Sequence, residues 1–390
     1  MHQGKYVFAQ LTEFISRYQF EKCVEKYQGN HRIKNFTCWE QFLAMLFGQL
    51  TFRDGLRDIV ICLTSQKQKL YHLGFRLTLV VSTLARANEN RDWRIYHDFA
   101  QILIQEATKL YADDKEFALE LKNTVYALDS TTIDLCLSIF SWAGFRKTKA
   151  AIKLHTLLNL RGNFPTFIVI SDGKMPDVKI LDEIEFEIGA FYLLDRGYVD
   201  FARLYKIQQA SAFFVTRAKK NLQFKRLYSN KIDKNTGIRC DQIIRLVGHD
   251  ALKNYPEKLR RIKYYDKKEK RYYVFLTNNF TIKAKLVADL YQARWQIEIF
   301  FKWIKQNLKI KSFWGHSSNA VKTQIWIAIC AYAMVAIIKK KLGIRQSLYQ
   351  ILQILSITPF GKTPLNMLFQ ENNLKCLDEE HAKQPKLLDF

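Results

Sequence analysis

The chain has 390 residues, 48% of them hydrophobic, with a formal net charge of +24 and a pI of about 9.6. That apolar share excludes a disordered chain, and the length allows two or three domains. The seven cysteines are odd in number and form no CxxC pair, which excludes a disulfide framework or a zinc ribbon and suits a reducing cytoplasm.

In chain order, residues 1–110 read as helical. The opening residues Met1 to Tyr6 lack the charged-then-apolar order of a signal peptide. Apolar residues recur at helical spacing over Trp39–Gly48 and Leu56–Leu63. Ser82–Asn88 reads as a short helix capped by Ser82, followed by a charged stretch to Ile95. Its Arg86, Asn88, Asn90, Arg91 and Arg94 are residue types that reach phosphates and base edges. An ordinary solvated helix face accounts for them equally well.

From Asn123 the pattern changes to strands. Thr124–Asp129 is an apolar run ending in an acid, and Phe191–Asp195 repeats it. Ile133–Phe140, Ile152–Leu160 and Phe167–Ser171 read as further strands. Short, fully apolar strands imply a sheet covered on both faces by helices, an α/β arrangement. Residues 201–285 differ. They hold 22 Lys and Arg against 6 Asp and Glu, a net of +16. Strands are expected at Phe213–Arg217, Gln242–Val247 and Arg271–Leu276, with a charged hairpin end at Lys263–Lys270. A basic, β-rich segment with interleaved aromatics suits a nucleic-acid surface. Helices resume near 281. The apolar run Ile325–Ile338 is too short to span a bilayer and reads as a buried core helix. The tail from about 372 is polar.

The chemistry concentrates on one helical stretch, Tyr291–Lys305. Tyr291, Arg294, Glu298 and Lys305 share one polar edge, while Ile297, Phe300, Phe301, Ile304 and Leu308 fall opposite. Asp129 and Asp195 are the matching candidates at strand ends, the rim where α/β sheets bind ligands. Singly, Asp129 can cap a turn through Ser130 and Thr131, and Asp195 can pair with Arg196. Jointly with Glu298 they form the carboxylate set that holds Mg²⁺ beside phosphates, and two such ions serve phosphodiester displacement. His155, His72 and Asp134 read as packing, rim or loop residues. No Walker-type loop appears, so no nucleotide cofactor is expected.

These motifs resemble those of the DDE transposases of the bacterial insertion-sequence-four group. Tyr291, Arg294, Glu298 and Lys305 match the group's Tyr-(2)-Arg-(3)-Glu-(6)-Lys signature, Leu128–Thr131 its first acidic motif and Leu193–Tyr198 its second. Lys153–His155 and Ser171–Lys174 resemble its core strands, and the likeness spans about 120–345. The resemblance implies a ribonuclease H-like α/β core with a β-rich insertion, preceded by an all-helical N-terminal DNA-binding domain. The expected parts are 1–115, core 120–200, insertion 201–285, core 286–345 with the catalytic helix, and a C-terminal helix and tail over 346–390. It implies Asp129, Asp195 and Glu298 as catalytic ligands of two Mg²⁺ or Mn²⁺ ions. It implies Tyr291, Arg294 and Lys305 as phosphate contacts, with Lys302 one turn after Glu298 able to share their work. Trp295, Arg86, Arg91, Lys267, Lys268 and Lys270 are further candidate DNA contacts. Some relatives stack a flipped base on a tryptophan of the insertion. Residues 201–285 contain none, which leaves Tyr228, Tyr255, Tyr264, Tyr265 or Trp295. The implied partners are element-end and target DNA and a second copy of the chain, without a membrane. A stand-alone nuclease and a catalytically inactive DNA-binding descendant are the competing readings.

Overall fold

The computed structural model describes residues 4–76, 78–111, 121, 123–146 and 149–370. The expected polar tail, with Cys376, lies outside the described residues. The chain forms two compact units, residues 1–107 with 307–390 and residues 108–306.

The first unit opens with α1 (Val7–Thr12), α2 (Arg17–Lys26), α3 (Cys38–Leu50), α4 (Leu56–Thr64), α5 (Val81–Asn90) and α6 (Arg94–Tyr111). Helix α3 is buried along its whole length. Thr37 starts it with a capping box, and the second oxygen of the buried Glu40 accepts the Arg76 N–H at 2.9 Å. Phe20, Trp39, Phe42 and Phe99 pack ring against ring between α2, α3 and α6. Helix α5 starts one residue before Ser82, with no side-chain cap.

Arg91 departs from its expected role. It is buried, and its guanidinium donates to the carbonyl oxygens of Phe36 and Thr37 and to Gln41 Oε1. A guanidinium spent on core acceptors ties the segment before α3 to α5 and is not offered to DNA. Asn88 is likewise buried, accepting from Gln41 Nε2 at 2.7 Å. Arg86 is exposed.

The second unit is a mixed α/β layer. Its strands and helices run β1 (Val125–Leu135), β2 (Gly144–Arg146), β3 (Lys149–Asn159), β4 (Phe164–Asp172), β5 (Phe191–Leu194), α7 (Phe201–Gln209), β6 (Phe213–Arg217), β7 (Phe224–Ser229), β8 (Ile238–Leu246), α8 (His249–Asn254), β9 (Leu259–Asp266), β10 (Arg271–Thr277), α9 (Ala284–Ala293) and α10 (Gln296–Asn307). Among the described residues these strands make one sheet, in the order β2-β3-β1-β5-β6-β10-β9-β8-β7, with β4 also on β3. Strands β1, β5 and β6 are mutually parallel, and the remaining pairings are antiparallel. The parallel strand β5 is apolar and buried throughout, and its neighbour β6 is buried from Phe214 to Thr216, as a sheet covered on both faces requires. Leu128, Tyr192, Leu194, Phe214, Leu204 and Ile207 belong to one buried cluster.

Two boundaries fall elsewhere than the sequence pattern places them. Strand β1 runs on through Asp129 to Leu135 instead of ending at the acid. Ser130, Thr131 and Thr132 tolerate extended backbone, and pairing with β3 holds from Tyr126↔Asn159 to Leu135↔Ala150. Helix α7 and strand β6 complete the parallel part of the sheet, so the basic antiparallel strands begin only after Arg217. Strand β10 then joins them to β6 through Phe275↔Arg217. Net charge averaged over 201–285 blurs that seam.

The first unit is completed by α11 (Ser318–Lys341), α12 (Leu348–Ile357) and α13 (Leu365–Leu368). Helix α11 is long and apolar enough to cross a bilayer, but it is buried inside the protein almost throughout from Ala320 to Ile338, as a core helix. Asn319, at its start, donates to the carbonyl oxygens of Asn88 and Arg91 at 2.8 and 2.6 Å. Residues 307–345, expected with the catalytic helix, therefore group with the N-terminal helices.

Candidate active site

The site starts from strand register. Leu128 on β1 is level with Leu194 on β5 in a parallel ladder. The next residue after each is an aspartate, so Asp129, within β1, and Asp195, just past the end of β5, stand at the same height on the sheet. Asp195 then starts the short helical turn Arg196–Tyr198 in extended backbone. Asp129 continues along β1, with its Oδ1 accepting the Ser130 N–H at 2.8 Å.

The third acid arrives on the segment from α9 to α10. It is not one uniform helix, as the spacing suggested. Arg294 N–H donates to the Tyr291 carbonyl at 3.2 Å, Trp295 to Gln292 at 3.1 Å, Ile297 to Arg294 at 3.1 Å and Glu298 to Trp295 at 3.0 Å. These three-residue steps tighten the coil into a 3₁₀-like junction. Tyr291 ends α9, Arg294 and Trp295 occupy the junction, and Glu298 and Lys305 lie on α10. Ile297, Phe300, Phe301 and Ile304 are buried on the other side, which fixes the polar edge toward the sheet.

That edge meets the strand acids directly. The Tyr291 hydroxyl donates to Asp195 Oδ1 at 3.2 Å. The Arg294 guanidinium forks, Nη1 to Asp129 Oδ2 at 2.8 Å and Nη2 to Glu298 Oε1 at 2.8 Å. Lys305 Nζ donates to the Thr132 carbonyl at 2.7 Å. Arg294 is only 9% exposed. Lys302, Lys267, Lys268 and Lys270 are exposed, and Trp295 is 59% exposed.

Burial dominates the electrostatics. It pushes the Asp129 carboxyl up to about 6, against the pull of Arg294. Burial also acts on Asp195, but the backbone N–H of Arg196, the Arg294 charge and the Tyr291 hydroxyl outweigh it and hold that carboxyl below its ordinary value. Burial raises the Tyr291 phenol to about 12, so it stays a donor at neutral pH. The carboxylates are hard oxygen donors of the kind Mg²⁺ and Mn²⁺ take. With the Arg294 fork between two of them, no three His, Cys, Asp or Glu side chains among the described residues are disposed to hold a metal ion.

A cleft of about 730 Å³ opens from Arg294, Tyr291 and Trp295 toward the β9–β10 turn. Tyr264, Tyr265, Tyr273, Lys267, Lys268, Arg271 and Lys285 line it. Gln292 Nε2 donates to Asp266 Oδ2 at 2.9 Å, and Asp266 Oδ1 accepts the Lys268 N–H at 2.8 Å, so α9 and the basic turn are tied together. Two members escaped the sequence reading. Arg217 lies over the Tyr273 ring at 5.0 Å, and Gln292 sits one residue past Tyr291. Nothing in their local pattern marks them, because strand order alone brings Arg217 to the cleft.

Other candidates fall away. Tyr255 is fully buried and bonded to Gln208, so it cannot stack on a base. Tyr228 is exposed on β7. His155 is fully buried with Nε2 2.7 Å from Ser171 Oγ, and burial pulls it down to about 4. Asp134 is exposed on β1, and His72 is exposed rather than packed.

Comparison with known proteins decides the family. Residues 120–334 match the model of the transposase DDE domain. The chain belongs to the DDE transposase family. It is a DNA transposase of the insertion-sequence kind, an enzyme of DNA strand cleavage and transfer. Residues 3–76 match a domain of unknown function, DUF4372. The chain is 32% identical over 258 residues to "Putative transposase y4zB" of Sinorhizobium fredii, covering 65% of this chain and 70% of that one. It is 26% identical over 287 residues to "Putative transposase for insertion sequence element IS4SA" of Synechocystis, covering 70% and 77%. It is 26% identical over 223 residues to "Probable transposase for insertion sequence element IS5377" of Geobacillus stearothermophilus, covering 56% and 57%. DDE transposases generally use divalent metal ions.

Proposed function

We propose that this transposase hydrolyses phosphodiester bonds at the ends of its element with Asp129, Asp195 and Glu298 on a ribonuclease H-like core, and then transfers the freed 3′-OH ends into target DNA. The observation that carries this reading is the single polar edge on which Tyr291 meets Asp195 and Arg294 meets both Asp129 and Glu298. The same four-residue edge, closed by Lys305, supports membership of the insertion-sequence-four group.

Asp129, Asp195 and Glu298 are the residues that would hold Mg²⁺ or Mn²⁺. The chemistry two such ions supply when bound is activation of the attacking oxygen and stabilisation of the leaving one. The chain's own cations do the positioning. Lys305 and Lys302, one turn apart on α10, offer donors to phosphates beside the acids, and Tyr291 holds Asp195 in place as a neutral donor. The cleft and its Lys267–Lys270 rim carry the DNA backbone away from the acids. Trp295 presents an exposed ring next to Arg294 in the chain and takes the stacking role that 201–285 has no tryptophan to fill. Two copies pair two ends.

The test is cleavage and joining of labelled DNA carrying the element's terminal repeats, with Mg²⁺ or with EDTA, for wild type and Glu298→Gln. Metal-dependent cutting at the boundary plus joined product, both lost in the variant with DNA binding kept, is the expected result. Cutting by the variant removes Glu298 from the site. Cutting without end preference or joining points to a nuclease, and binding without cutting to an inactive descendant.

A further inference from the structure

The Arg294 guanidinium is more than a neighbour of the acids. It bridges them, at 2.8 Å to Asp129 and 2.8 Å to Glu298, and is 9% exposed. Its third nitrogen, Nε, is buried without a hydrogen-bond partner. The bridge thus leaves one strong donor unspent, while it occupies one oxygen of each of two carboxylates a cation would need, Asp129 Oδ2 and Glu298 Oε1. An arginine has no neutral form at physiological pH and cannot share a carboxylate's metal-facing lone pairs with an ion 2 Å away. Arginine and a divalent ion therefore compete for Asp129 Oδ2 and Glu298 Oε1, and their like charges repel at that distance. The junction that carries Arg294 is three-residue hydrogen-bonded, between two helices, where a small change of backbone moves the side chain far. Toward the cleft, Arg294 is itself a lining residue, together with Trp295, Lys285 and Arg217. Phosphates in that cleft would offer the fork a bidentate partner of the same geometry as a carboxylate.

We propose that Arg294 is a latch on the acidic site: it bridges Asp129 and Glu298 in the free protein and releases them for a divalent ion only when a DNA phosphate takes its fork. The inference rests on the proposed metal-binding role of the acids and adds a regulation to it. The latch keeps the free enzyme from loading metal, so metal and DNA bind with positive coupling, each raising the affinity for the other by the same factor. An enzyme that cuts DNA gains from being unarmed until its substrate is in the cleft.

The test is Mn²⁺ binding to the full chain, followed by the loss of the free-ion electron paramagnetic resonance signal. It is run with and without a duplex carrying the element's terminal repeat, for wild type and Arg294→Gln. Wild type is expected to bind Mn²⁺ at least tenfold more tightly with the duplex than without. Arg294→Gln is expected to bind Mn²⁺ at least tenfold more tightly than wild type without DNA, and to gain much less from the duplex. Equal Mn²⁺ affinity of wild type with and without duplex overturns the latch, and needs no variant to fold. An unlatched variant no tighter than wild type also overturns it. Adding Asp129→Asn to Arg294→Gln separates the two readings. Loss of the tight binding places the ion on Asp129, and unchanged binding overturns the metal site itself, with the latch.

Discussion

Leu128 and Leu194 face each other across the parallel β1–β5 ladder, and this pairing delivers Asp129 and Asp195 to the same rim. The consequence is a buried acid beside a better hydrogen-bonded one. Asp129 is raised to about 6 by burial, while Asp195 is lowered. A carboxyl whose folded value exceeds its unfolded value holds its proton better when folded. Its contribution to stability is therefore lost as pH rises from about 4 through 6. In EDTA, Asp129→Asn should be more stable than wild type at pH 7.5, by on the order of 3 kcal/mol, and equal to it below about pH 4. Urea unfolding of both proteins across that range measures it. A variant less stable than wild type at pH 7.5 would mean that the Arg294 bridge outweighs burial.

The basic turn makes a separate claim. Lys267, Lys268 and Lys270 are exposed at the end of the β9–β10 hairpin and two of them line the cleft. Reversing all three to Glu should weaken duplex binding and flatten the plot of log affinity against log salt by about 3, since each phosphate contact contributes about 0.9 to that slope. Fluorescence anisotropy from 50 to 200 mM salt reads it. An unchanged slope would make the hairpin structural.

Much of this was legible in the residues. The three acids, the Tyr291–Lys305 edge and its apolar back follow from spacing and strand-end chemistry, because burial and register leave those patterns in the chain. Three things were not. The tight junction at Arg294 and Trp295 has no Gly or Pro to announce it and shows only in its three-residue hydrogen bonds. The extension of β1 past Asp129 depends on its partner β3, from Ser130↔His155 to Leu135↔Ala150, which local pattern does not show. The burial of Arg91 depends on the carbonyls before α3, so a surface-looking Asn-Arg-Asp stretch conceals a core residue.

Arg91 thus makes a prediction that contrasts with a DNA contact. Its guanidinium serves the Phe36 and Thr37 carbonyls and Gln41, all within the first unit. Arg91→Ala strands those acceptors, and hydrogen bonds to a charged group are worth about 1.5–3 kcal/mol each. The variant should lose roughly 3 kcal/mol of stability. Its salt slope for DNA binding should match wild type at a temperature where both are folded. A shallower slope with unchanged stability would return Arg91 to the DNA surface.

The pair Asp241–Arg260 makes the last case, because it anchors the basic strands from within. Arg260 forks onto Asp241, Nε to Oδ1 at 2.8 Å and Nη2 to Oδ2 at 2.8 Å, and Nη1 reaches the Ile282 carbonyl at 2.6 Å. Both residues are 5% exposed. Removing one partner leaves the other charged and buried, which costs about 3–5 kcal/mol, whereas replacing both by apolar residues of similar volume is often neutral. Arg260→Met alone should therefore destabilise strongly, and Arg260→Met with Asp241→Leu should recover most of the loss. The Ile282 carbonyl remains unsatisfied in both, so recovery stops short by about 1–3 kcal/mol. Urea midpoints of the two single variants and the double variant decide this. Additive losses would mean that the pair acts through two independent contacts and not as one buried unit.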